Sequence, residues 1–123
     1  MLNQVVMVGR LTKDPEVKEL ENGKKVTNIT LAVQRSYKNP EGVYETDFVD
    51  CTLWDAVATN TTEYCKKGDI VGVKGRVKTD TYEVDGEKRK SFEIVAEKVT
   101  FLASKSKDNE QEETKSKEED LDM

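Results

Sequence analysis

Apolar and polar residues alternate along much of residues 1–103, and the alternation breaks at clusters of glycine, proline, asparagine and aspartate. Residues 2–11 are apolar at both parities and stop at Thr12-Lys13-Asp14-Pro15, which predicts a first strand with apolar residues on both faces. Asn22-Gly23 is a strong hairpin signal, and residues 25–37 follow it as a second strand alternating around Ile29, Leu31 and Val33. Asn39-Pro40-Glu41-Gly42 marks the next turn, after which residues 46–54 form a third strand. Asp55 is placed to cap a short helix with Val57, Thr61 and Tyr64 along one face, Lys66-Lys67 at its end and Gly68 just beyond. Residues 70–82 and 91–102, on either side of Asp85-Gly86, complete the pattern as strands four and five.

Strand parity then separates a core from an outer face, because successive side chains of a strand point to opposite sides. In strand three the odd positions Val49, Cys51 and Leu53 are apolar and mark the core. Phe48 and Trp54 therefore fall on the outer, polar face, six residues and roughly 20 Å apart. In strand four Val71, Val73, Gly75 and Val77 face inward, which turns Lys74, Arg76, Lys78 and Tyr82 outward. Strand two leaves the core with Arg35 and Tyr37. Tyr64, on the helix stripe, is expected in the core, and Tyr44 sits in or beside a hairpin loop. Five strands with one helix between the third and fourth is the element order of an all-β oligonucleotide-binding (OB) barrel. The residues alone leave two readings of Phe48 and Trp54 open, base stacking or a second buried surface against the helix or a partner subunit.

Charge and composition narrow the chemistry. The net charge of −5 is concentrated in residues 104–123, which hold four lysines and eight carboxylates and read as a disordered acidic tail; residues 1–103 keep 16 basic and 17 acidic groups, close to neutral. The division predicts one folded domain over 1–103 and a solvated tail over 104–123. Two cysteines and no histidine offer no zinc site and no histidine base, and Cys51 and Cys65 read as packing residues, so neither a cofactor nor a metal is expected. A metal-dependent nuclease built on Asp47, Asp50 and Asp55 is disfavoured because parity sets Asp47 opposite Asp50. Nothing predicts a membrane span or a secretory signal, and the expected location is cytoplasmic.

The opening residues 1–16, from Met1-Leu2-Asn3-Gln4 to Lys13-Asp14-Pro15-Glu16, resemble the start of bacterial single-stranded DNA-binding proteins, particularly those of Gram-positive bacteria and their phages. Asn28-Ile29-Thr30-Leu31-Ala32-Val33, Asp47-Phe48-Val49-Asp50-Cys51-Thr52-Leu53-Trp54, Glu63-Tyr64-Cys65-Lys66-Lys67-Gly68 and Val73-Lys74-Gly75-Arg76-Val77 carry the resemblance through the rest of the domain. It implies a non-enzymatic, sequence-independent binder of single-stranded DNA, active in replication, recombination and repair and assembled as a homotetramer. It also implies DNA contact at Tyr37, Phe48, Trp54 and Tyr82, the four aromatics that parity and charge select. Phosphate contacts are expected from Arg10, Arg35, Lys74, Arg76 and Lys78, with Lys13 and the basic run 88–90 in a secondary role. Family tails end in an acidic run and an apolar tip containing Ile-Pro-Phe or a near variant, which docks into partner enzymes. The corresponding residues are Glu118, Glu119, Asp120, Leu121, Asp122 and Met123, without proline or an aromatic; they are the candidate contact for replication and repair enzymes.

Overall fold

Within residues 1–104, six strands and one helix follow each other as β1 (Val5–Leu11), β2 (Lys18–Glu19), β3 (Lys25–Lys38), β4 (Tyr44–Trp54), α1 (Asp55–Tyr64), β5 (Ile70–Val84) and β6 (Glu87–Ala103). This computed structural model describes residues 1–104, so the expectations for the tail, residues 118–123 included, lie outside the described residues. Antiparallel pairing joins β1 to β5, β5 to β6 and β3 to β4, while β4 and β6 run parallel. Pairing of Arg10 with Ala32 and of Leu11 with Leu31 brings β1 onto β3 and closes the five long strands into a barrel. The OB architecture expected from the sequence is present, with the helix between the third and fourth long strands.

Inward-pointing residues fill the barrel. Leu11, Ile29, Leu31, Cys51, Leu53, Val71 and Val73 are almost fully buried, those on β3, β4 and β5 at the parity read from the sequence. Burial pushes the Cys51 thiol up to about 11 and raises Cys65 as well, with Asp50 and Asp69 adding repulsion, so both stay protonated packing residues at neutral pH. β1 is apolar on both sides as expected, and its outward Val6 and Val8 are 70% and 55% exposed.

Several expectations need correction. The two-residue β2, paired with the start of β3 through the Asn22-Gly23 hairpin, is too short to leave an alternation in the sequence. Strand one begins at Val5, and the last two long strands run further than expected. Asp55 is not a side-chain cap: it is the first helical residue, at φ 49°, and its carboxylate accepts the Lys25 N–H at 3.1 Å, while extended Trp54 stands at the cap position without a side-chain bond. Tyr64 is not core, since it is 69% exposed on the last residue of the helix; the buried helix positions are Ala58 and Thr61, and small residues are what fit where α1 lies against the barrel.

β5 and β6 continue past the barrel as a two-stranded arm closed by Asp85-Gly86, whose φ values of 51° and 80° suit a tight hairpin turn. Residues 78–90 of this arm are all exposed. At its base, pairing slips by one residue beside Gly75, and a Cβ there would lie 2.2 Å from the Val95 carbonyl oxygen. Backbone cannot yield as a flexible side chain does, so Gly75→Ala is expected to destabilise the fold by about 1–3 kcal/mol. Chemical denaturation of the variant checks this, and an unchanged midpoint would show that the slip relaxes without cost.

Candidate functional site

Residues facing each other across paired strands share a side of the barrel, so the register lays out the outer surface row by row. One row runs Arg10, Ala32, Phe48; the next holds Thr30 and Asp50. A third runs Asn28, Thr52, Val95, Arg76, and a fourth holds Val26 and Trp54. Phe48 and Trp54 therefore bound one outer stripe of β4, and Arg76 lies two strands away, roughly 10 Å at the usual strand spacing. Lys74 and Lys78 continue the Arg76 stripe along β5, and Tyr82 extends it onto the arm, where it faces Arg89.

Phe48 is 69% and Tyr37 65% exposed, and Tyr82 is also open to solvent, whereas Trp54 is half-buried between Val26 and the start of α1. Between Phe48 and Trp54 the floor is polar. The Thr30 hydroxyl donates to Asp50 Oδ1 at 2.6 Å, and the Thr52 hydroxyl donates to Asn28 Oδ1 at 3.2 Å. Tyr44 sits at the β3–β4 hairpin, where the Lys38 ammonium lies 5.5 Å from its ring centroid.

The five basic candidates divide. Lys74, Arg76 and Lys78 point outward from β5, and Lys78 lies 3.7 Å from Asp80. Arg10, in the Phe48 row, donates to the Gly68 carbonyl at 2.9 Å and ties β1 to the turn after α1. Arg35 is on the other side of β4: its guanidinium grips Asp47 through Nε and Nη2 at 3.0–3.3 Å and Glu45 through Nη1, opposite in parity to Phe48. Donation from Arg35 to Asp47, with the attraction between their charges, holds the Asp47 carboxyl below its ordinary 3.8 and raises Arg35 further above its usual range. The tie is thus complete above about pH 4 and is lost only as Asp47 protonates below that. Arg35 reaches a phosphate only by giving up these carboxylates.

The secondary candidates also separate. Lys88 and Lys90 lie on the face of the arm opposite Tyr82, and Arg89 lies on the Tyr82 side. Lys13 lines a groove of about 650 Å³ with Lys18 and Lys67, the carboxylates Asp14 and Glu16, and the Val26–Asn28 stretch of β3, so the groove adjoins the Trp54 row. Neither Lys18 nor Lys67 is marked as a phosphate contact by the sequence, because a two-residue strand and a turn carry no periodic signal. Phe92 is a second omission: its parity matches Ile94 and Ala96, yet it lies beyond the barrel rim and is exposed. Asp47, Asp50 and Asp55 are engaged by Arg35, Thr30 and the Lys25 N–H respectively, and no cluster of three metal-ligating side chains occurs among the described residues.

The arrangement is an open surface of separated aromatic platforms flanked by a cationic stripe. Comparison with known proteins matches residues 2–102 to the profile of the single-strand binding protein family. The chain is 47% identical over 109 residues to single-stranded DNA-binding protein B of Bacillus subtilis, covering 88% of this chain and 96% of that one. It is 50% identical over 106 residues to single-stranded DNA-binding protein 3 of Listeria innocua, covering 85% and 66%. A single-stranded DNA-binding protein of Halalkalibacterium halodurans is 48% identical over 104 residues, 83% of this chain and 61% of that longer protein.

Proposed function

Because the chain belongs to the single-strand binding protein family, we propose that it binds and protects single-stranded DNA during replication, recombination and repair, without reading base sequence. The observation that carries this reading is the pairing of two outer stripes: aromatics on β4 and, two strands away, Lys74, Arg76 and Lys78 on β5. Every base offers a face for stacking and every nucleotide a phosphate, so this combination takes a single strand of any sequence. Duplex DNA keeps its bases stacked on each other and cannot use the platforms. Phe48, Trp54, Tyr37 and Tyr82 stack; Lys74, Arg76, Lys78 and Arg10 neutralise phosphates, with the lysine groove beside Trp54 extending the path. No step of this reading requires a cofactor or catalysis.

The protein acts as a homotetramer in the cytoplasm, at the nucleoid. The outward Val6 and Val8 support the assembly, since two adjacent apolar side chains on one strand gain by covering each other in a second copy. Residues 1–103 form the binding domain, and the acidic residues 118–123 recruit replication and repair enzymes through Leu121 and Met123.

The phosphate roles are tested by the salt dependence of binding. Each of Lys74→Ala, Arg76→Ala and Lys78→Ala is expected to reduce the slope of log affinity against log salt concentration by about 0.7, the value for one phosphate of a single strand. Filter binding of oligo-dT at several salt concentrations measures it. Unchanged slopes in all three variants would remove the β5 stripe from the DNA path.

A further inference from the structure

The surface between Phe48 and Trp54 has a feature that a purely sequence-blind binder of a polyanion does not need. Asp50 is exposed there, two residues from Phe48 on the same face of β4, where it repels phosphates. Its carboxylate is nonetheless held in place: Oδ1 accepts the Thr30 hydroxyl at 2.6 Å, and Asp50 has no ion-pair partner among the described residues. One carboxylate oxygen is thus oriented from below while the other remains for a ligand.

We propose that Asp50 accepts a hydrogen bond from the exocyclic amino group of a base stacked beside it, and so biases an otherwise sequence-independent surface toward cytosine relative to thymine. The inference rests on the single-strand reading above. An ionised carboxylate only accepts hydrogen bonds. Cytosine presents the N4 amino group as a donor at the position where thymine presents the O4 acceptor, so a carboxylate attracts the first and repels the second. Phe48 is about 7 Å along the strand from Asp50, within the span of a stacked base and its edge substituents. Thr30 is a positioning residue: it touches no base and fixes the direction in which the carboxylate points.

The pair of ligands that isolates this contact is oligo-dC and oligo-dT of equal length, since both are pyrimidine strands with comparable stacking faces. The quantity is the ratio of the two affinities at one salt concentration and neutral pH, compared between the full-length protein and its Asp50→Ala and Asp50→Asn variants. Comparing ratios cancels any intrinsic preference of stacking or backbone flexibility, and it also cancels the repulsion of phosphates, which acts equally on both strands. The ratio of dC to dT affinity is expected to fall about three- to tenfold in Asp50→Ala, the effect of one hydrogen bond to a charged group in a partly wet site. It falls in Asp50→Asn too, because the amide can donate to thymine O4. Thr30→Val keeps the shape and removes the donor, and the ratio falls by a smaller factor. Thermal melting confirms that the variants are folded, as expected for substitutions at or beside an exposed position. If Asp50→Ala tightens binding of both strands equally and leaves the ratio unchanged, Asp50 acts through charge alone and the inference is overturned. If the unaltered protein binds neither strand, the single-strand reading itself fails and this inference falls with it.

Discussion

Replacing Phe48 and Trp54 together by alanine is expected to weaken binding of single-stranded DNA by about 2–6 kcal/mol, at least roughly 30-fold, whatever the base sequence. Each platform contributes about 1–3 kcal/mol per stacked base. The two lie at opposite ends of the outer stripe of β4, roughly 20 Å apart, so their contributions should add. The two single variants differ in a second respect. Phe48 is largely exposed, and its removal should leave stability unchanged, whereas half-buried Trp54 also contacts its surroundings and should lower the melting temperature modestly. Equilibrium binding of oligo-dT measured by fluorescence anisotropy, beside thermal melts of each variant, separates the two effects. A double variant that binds as tightly as the unaltered protein would mean that the aromatic stripe serves another purpose.

Leu31→Ala is expected to cost about 2–5 kcal/mol of folding stability, the range for a buried leucine emptied to alanine. Leu31 is completely buried and stands where the barrel closes, paired with Leu11 on β1 and with Val49 on β4. A domain of this length is stabilised by about 5–15 kcal/mol in total, so the loss translates into a fall in melting temperature of roughly 10–30 °C. Its neighbours in the chain, Thr30 and Ala32, belong to the outer rows with Asp50 and Phe48, which makes closure of the core and alignment of the outer face parts of one construction. Circular dichroism melts decide the matter: a shift of only a few degrees would show that the closing contact between β1 and β3 contributes little.

Parity was the most informative signal in the sequence. It placed Cys51 and Leu53 inside and Phe48 outside because residues 48–54 of β4 alternate between the core and a wetter face. The same rule fails at Phe92. Its parity is that of the core, but β6 has already left the barrel there, and where a strand leaves its core depends on tertiary structure, not on alternation. The arm was read too short for a related reason: beyond Tyr82 it is held by backbone pairing between two exposed strands, which leaves no apolar signature. On α1 the stripe of Val57, Thr61 and Tyr64 holds for its first two members, since Thr61 is buried and Val57 packs against the core, but Tyr64 ends the helix outside and Ala58 takes the other buried position. Arg35 is legible in the sequence as a cation near Tyr37, but its engagement by Asp47 and Glu45 follows from the register of β3 on β4, which pairs Val33 with Asp47 and Gln34 with Thr46 and which spacing within one strand does not give. The polar floor between the two platforms was equally hidden, since Thr30 and Asp50 meet only through the pairing of β3 with β4.

The chain contains a single tryptophan, and Trp54 lies on the stripe that the account assigns to base stacking, so its fluorescence reports on the site directly. The most direct measurement is a titration of that fluorescence with long oligo-dT and, separately, with the corresponding duplex, at several salt concentrations. Quenching by the single strand and none by the duplex is expected, with log affinity falling linearly with log salt concentration as phosphates are neutralised. Fluorescence unaffected by oligo-dT, together with sedimentation showing no complex, would contradict it.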